Sequence, residues 1–152
     1  MDVELNKTAN IIFIALLSIV LFNWIGWPYQ IRFDYIPLNY LVYSFLCFSL
    51  PISAFLASSL LTNNAMKISG ILCSILIAIP AFILGMFAFM GAQDALENGE
   101  DASLEYLKQA KSELGTYRLY RTNCGATCDY GLDLRREIDL PIGIKLVDSV
   151  WG

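Results

Sequence analysis

Apolar residues run almost unbroken through three stretches of the chain, about 8–27, 38–62 and 66–92, and none of the three contains a charged side chain. A bilayer core is about 30 Å thick and roughly 20 apolar helical residues cross it, so each stretch predicts a transmembrane helix. Beyond residue 92 the pattern changes. In "ASLEYLKQAKSEL" a helical period puts Leu104, Leu107 and Leu114 on one face around Ala110 and Lys111, with Asp101 as N-cap and Gly115 at the C′ position. After Gly115 the period shortens to two. "TYRLYRTN" is rich in aromatic and β-branched residues, "YGLDLRRE" alternates Leu132 and Leu134 with Asp133 and Arg135, and "IGIKLVDSVW" alternates Ile142, Ile144 and Leu146 with Gly143 and Lys145. These predict three antiparallel strands, with turns around Gly125 and around Asp139-Leu140-Pro141. The expected fold is a membrane α-helical protein with three transmembrane helices in residues 1–92. A small C-terminal α+β extramembrane domain of one helix and a three-stranded antiparallel sheet occupies residues 93–152.

The first apolar stretch reads as a retained span. Acidic Asp2 and Glu4 outnumber Lys7, and no small-x-small cleavage pattern precedes Asn23-Trp24. Pro51 and Pro80 sit centrally in the second and third stretches, where each frees a carbonyl one turn earlier and kinks the helix, and Ser49 and Ser53 lie near enough to satisfy it. In the third stretch Ser74, Ala78, Ala81, Gly85, Ala88 and Ala92 recur at spacings of 4, 3, 4, 3 and 4, which lines them along one side. Helices in lipid associate through close van der Waals contact, so a small-residue stripe marks an interface. Its occupant is either the shorter stripe Ser49, Ser53 and Ala57 of the second span, or a second copy or another membrane protein.

Composition agrees with a membrane chain and narrows its chemistry. The 152 residues are 57% hydrophobic and 16% charged, and mean hydropathy is +0.55. Residues 1–91 carry three basic and three acidic groups, and 92–152 carry seven against eleven, so the net charge of -4 resides in the tail. An acidic tail offers no basic face to displace counterions from phosphates, which sets nucleic acid aside as a partner. Histidine is absent, removing the commonest metal ligand and the side chain best suited to base catalysis near neutral pH. Neither a metal site nor a cofactor is expected.

The loop between the first two spans, "NWIGWPYQIRFDYIPLNY", holds Trp24, Trp27, Tyr29, Tyr35 and Tyr40, rings that favour the headgroup level. It serves as an aromatic belt or as a lip for a partner, with Arg32 and Asp34 forming a weak surface ion pair. Lys7 and Lys67 on one side of the membrane nearly balance Arg32, Lys108 and Lys111 on the other. The tail's opening "GAQDALENGEDASLEY" has five carboxylates and no basic group, which places the N-terminus in the cytoplasm and the tail outside it, in the periplasm or the extracellular space.

Cys124 and Cys128 flank "GAT" at the first predicted turn, close enough across paired strands for a disulfide in an oxidising compartment. Zinc would need about four ligands, and the remaining cysteines, Cys47 and Cys73, lie inside spans. Dithiol redox chemistry normally spaces its cysteines by two residues at a helix start, against three here; reduced, inert thiols are the other reading. Arg118, Arg121, Arg135 and Arg136 interleave with Tyr117, Tyr120 and Tyr130. They form either a partner-binding face or ion pairs with Asp129, Asp133, Glu137 and Asp139 across a solvated sheet.

The stretch "LYRTNCGATCDYGLDLRRE" resembles small bacterial inner-membrane proteins of uncharacterised function whose chains end in Tyr-Arg-x-Asn-x-Gly-Ala-Thr leading into strands. The resemblance covers about thirty residues, carries over no functional residue, and Cys128 departs from its pattern. The function expected is a non-enzymatic interaction protein of the bacterial inner membrane, an accessory subunit or a toxin-immunity protein. It would contact lipid through its spans and a protein partner through its sheet and aromatic loop, at Trp24, Trp27, Tyr29, Arg32, Arg118, Tyr120, Arg121, Tyr130 and Arg135. The alternatives are an oligomeric channel or transporter component lined by Ser49, Ser53 and Ser74, and an enzyme acting through the tail thiols or carboxylates. The spans lack the ionisable groups that coupled transport uses, and no catalytic motif is present.

Overall fold

The computed structural model describes residues 2–24, 29–99, 101, 103–122 and 131–151. In chain order they form α1 (Asp2–Trp24), β1 (Gln30–Phe33), α2 (Ile36–Ser59), α3 (Asn64–Asn98), β2 (Leu104–Ser112), β3 (Gly115–Thr122), β4 (Gly131–Leu140) and β5 (Ile144–Trp151). The chain divides into two compact units, one of Met1–Ile25 with Leu41–Phe89 and the other of Gly26–Tyr40 with Met90–Gly152.

In the helical unit, α2 and α3 are both long and apolar enough to cross a membrane, and α1 contributes a shorter apolar stretch, Lys7–Asn23. Only 22% and 17% of the most apolar windows of α2 and α3 are buried, so their apolar surface is not consumed by a protein core. The two helices run antiparallel and meet through small residues. A Cβ added at Gly85 would lie 2.9 Å from Phe48 Cζ and 3.2 Å from Cys47 Cβ, and one added at Gly70 would meet Ser58 Oγ at 2.5 Å. Ser44 donates to the Gly85 carbonyl at 2.9 Å, and Phe48 and Phe82 pack edge to face. The stripe predicted on α3 is therefore used within the chain. Ser74, Gly85, Ala88 and Ala92 are buried, Ala78 and Ala81 half-buried, and Ser53 and Ala57 of α2 are buried too. Both helices continue through Pro51 and Pro80. Ser49 and Ser53 bond to the Leu46 and Leu50 carbonyls.

In the second unit the sheet has five antiparallel strands in the order β1-β5-β4-β3-β2, which corrects the three-stranded expectation at both edges. The first correction is β2. The residues expected as the tail helix instead pair with β3 from Leu104↔Thr122 to Ser112↔Gly115, with a bulge at Leu107. Leu, Glu, Lys, Gln and Ala favour a helix locally, but pairing with the aromatic strand beside them overrides a propensity worth only tenths of a kcal/mol per residue. Asp101 does not cap a helix. Its Oδ1 accepts from the Ser103 amide at 3.0 Å and the Ser103 hydroxyl at 2.6 Å, a side-chain turn that launches the strand. Gly115 closes the hairpin at φ 132°, not a helix.

The second correction is β1, drawn from the aromatic loop. Gln30 to Phe33 pair with Val147 to Ile144 of β5. The Asn39 side chain then grips Phe33, accepting from its amide at 2.7 Å and donating to its carbonyl at 2.8 Å, which fixes the turn into α2. Ile142, expected in the last strand, sits in the β4–β5 turn at φ 75° and is 94% exposed. The turn expected around Gly125 lies outside the described residues.

Candidate functional site: two unlike faces of one sheet

Strand residues alternate between faces, so the register sorts every side chain. One face carries Arg32 of β1, Lys145, Val147 and Ser149 of β5, Asp133, Arg135 and Glu137 of β4, and Arg118 and Tyr120 of β3. Although largely charged, this face holds the buried side chains of the sheet, with Glu137 and Val147 each 4% exposed and Asp133 8%, while Ser149 near its rim is exposed. Buried charges persist only where each is paired and hydrogen-bonded, and Asp133 and Glu137 both are. Glu137 accepts from Arg118 at 2.6 Å, from the Tyr120 hydroxyl at 2.7 Å and from Lys145 at 3.1 Å, while Lys145 also reaches Asp34 at 2.9 Å. Asp133 accepts from Arg135 at 2.6 Å and from the Ser149 hydroxyl at 2.8 Å. The Arg135 guanidinium lies 5.4 Å from the Tyr120 ring centre, and Tyr106 meets the same ring edge-on.

Burial, reinforced by the bond to Glu137, pushes the Tyr120 phenol up to about 12. Burial and the nearby Arg135 hold Arg32 below its ordinary pKa, opposed by Asp101, Tyr40 and Asp133. The Tyr40 hydroxyl donates to Asp101 at 2.7 Å, tying the start of α2 to the start of β2 within this unit.

The opposite face is apolar. It carries Ile31 and Phe33 of β1, Ile144 and Leu146 of β5, Leu132, Leu134, Ile138 and Leu140 of β4, and Leu119 of β3. None is buried: Ile31, Leu132 and Leu140 are 43%, 45% and 40% exposed, and the rest are half-exposed. A sheet normally turns such a face to the core, and a contiguous exposed apolar patch of this size marks an interaction surface. Most of its charges are held in neutral pairs, and Lys108, opposite Leu119 on the β2 edge, adds an exposed cation. Arg136 donates to Asp148 and to the Tyr29 hydroxyl, each at 2.8 Å, with its guanidinium 5.5 Å from the Tyr29 ring centre. Arg121 pairs with Glu105 near the β2 edge.

The residues expected to bind a partner thus separate. Arg32, Arg118, Tyr120 and Arg135 belong to the buried polar face, where the last three are engaged in internal bonds, while Tyr29 and Arg121 belong to the apolar face. Arg118 and Arg135 form the ion pairs with Glu137 and Asp133 that were the alternative reading. The Trp24 side chain, Trp27, Tyr130, Cys124 and Cys128 lie outside the described residues. The apolar set itself was missed as a site. Its signal was present in the alternation of Leu132 with Leu134 and of Ile144 with Leu146, and in Ile31 and Phe33 flanking Arg32. Among the described residues, no three His, Cys, Asp or Glu side chains cluster as metal ligands would. The chain matches no protein-family model, no curated protein and no solved structure.

Proposed function

We propose that this chain is a non-enzymatic interaction protein of the bacterial inner membrane, anchored by its apolar helices and binding a protein partner through the apolar face of its sheet. An accessory subunit or a toxin-immunity protein fits this description. The observation that carries the reading is the inversion of the sheet: the side chains it buries are Asp133, Glu137 and Val147 of its charged face, while no residue of its apolar face is buried and Ile31, Leu132 and Leu140 are exposed. Leaving Ile31, Leu132 and Leu140 exposed and their six apolar neighbours partly so forgoes about 25 cal/mol per Å² of the apolar area still in water, which binding recovers. The buried hydroxyls of Ser53 and Ser74 bond to carbonyls of their own helices, which favours this reading over a pore lined by them. The proposed topology keeps the N-terminus cytoplasmic and the sheet outside the cytoplasm.

A photo-crosslinking residue placed at Leu132 in the full chain, expressed in intact cells, tests the reading. A discrete protein adduct is expected from Leu132 and not from Tyr106, which is exposed on the other face near the β2 edge. Adducts from neither position, or equal adducts from both, contradict it.

A further inference from the structure

We infer that the occupant of the apolar face is a second copy of this chain, with two sheets stacked face to face about a two-fold axis. This rests on the protein-binding reading above and names the partner. Area supports it first. The five strands, of four to ten residues at about 3.3 Å each and spaced about 4.8 Å apart, give a face of about 600 Å². A standard stable interface buries about 800 Å² on each partner, so one face of this size supplies about three quarters of it.

Charge supports it next. A surface that binds itself places each of its charges opposite its own kind, and it tolerates this only where those charges are already neutralised or marginal. Here Arg136 is held by Asp148 and Arg121 by Glu105, and the remaining cation, Lys108, stands at the β2 edge of the face, where it is marginal. The middle of the face is Leu119, Leu134, Ile138 and Leu146. Two such centres bury each other without a repulsive contact.

The alternative route to self-association, strand addition at a sheet edge, is obstructed. β2 is a nine-residue exposed edge, but it carries a bulge at Leu107 and the cations Lys108 and Lys111, devices that discourage a further strand. The other edge, β1, is only four residues long. The edges are guarded and the face is not. Membrane anchoring adds a concentration effect: copies held in one bilayer share a topology and meet at high effective concentration, and the two-fold axis along the membrane normal is the operator they can share.

The test uses the full chain, reconstituted in liposomes as a mixture of donor- and acceptor-labelled copies over a wide range of protein-to-lipid ratios. Saturable energy transfer is expected from the wild type. The double variant Ile31→Glu/Leu132→Glu should move its midpoint about a hundredfold higher, about tenfold per lost apolar anchor. Leu114→Glu, in the β2–β3 turn and off the face, should leave it unchanged. Transfer no greater than random in the wild type, or an unchanged midpoint in a folded double variant, overturns the inference. Should the double variant not fold, the photo-crosslinker at Leu132 decides. An adduct containing only this chain supports the second copy. An adduct solely with a different protein overturns the second copy and leaves the protein-binding reading standing, and no adduct overturns both.

Discussion

The Tyr120 phenol donates to the Glu137 carboxylate at 2.7 Å on the buried face of the sheet, and this bond joins β3 to β4 beneath a ring stacked by Arg135. It makes stability depend on alkaline pH. The folded pKa is pushed up to about 12, first by burial and then by Glu137, against about 10 for a free phenol. The folded state therefore keeps the proton longer, so the contribution is fully present below about pH 10 and is lost as pH rises through about 12. Tyr120 is only half-buried, and solvent screening reduces the effect to about 1 kcal/mol. Near-ultraviolet circular dichroism melts between pH 9 and pH 12 should show a falling midpoint that flattens in Tyr120→Phe.

Glu137 is the acceptor on which Arg118, Tyr120 and Lys145 converge. Glu137→Ala leaves Arg118 and the Tyr120 hydroxyl without their acceptor and Lys145 with Asp34 alone, and should cost about 3 kcal/mol. Glu137→Gln keeps the shape and one acceptor oxygen and should cost less. Denaturant melts of the two variants, compared with the wild type in the same detergent, check the order.

Gly115 combines a positive φ of 132° with a close approach, since an added Cβ would stand 2.8 Å from the Glu137 carbonyl oxygen. Neither the backbone nor that oxygen can yield without disturbing β3 and β4. Gly115→Ala should therefore cost about 2–3 kcal/mol. Gly99→Ala, at φ 74° with nothing within 4 Å, should cost about 1 kcal/mol. Thermal midpoints of the two variants separate strain alone from strain with collision.

Gly85 is the point of closest approach between α2 and α3, 2.9 Å from Phe48 Cζ by the same construction. Gly85→Val should push the helices apart at a cost of about 1–3 kcal/mol. Pairing it with Phe48→Ala should recover part of the loss. Unfolding in rising dodecyl sulfate reads both.

The spans α2 and α3 were legible because membrane-crossing composition is a long, one-dimensional signal, and they follow the expected stretches to within a few residues at most ends, whereas the first of the three expected spans keeps only the shorter apolar stretch Lys7–Asn23. β2 was not legible. Leu104 to Ser112 have good helix formers throughout, and what makes them a strand is the partner strand that begins at Gly115, a tertiary fact invisible in a local window. β1 was hidden differently: Gln30 to Phe33 are separated from β5 by more than a hundred residues, and a run of four alternating residues is too short to stand out among aromatics. The arginines drew attention as candidate binding groups, yet side-chain type cannot say which face a strand turns inward. Arg118 and Arg135 pair with Glu137 and Asp133, and the plainer leucines and isoleucines on the opposite face are the side chains without such internal partners.

Carbene footprinting of the full chain, in native membranes and after purification and dilution in detergent until the chain is monomeric, bears most directly on whether that apolar face is a binding surface. Ile31, Leu132 and Leu140 should be modified in the purified chain and protected in native membranes, with Tyr120 little changed between the two. Equal modification of the three in both states would mean that nothing covers the face, and the interaction reading would fail.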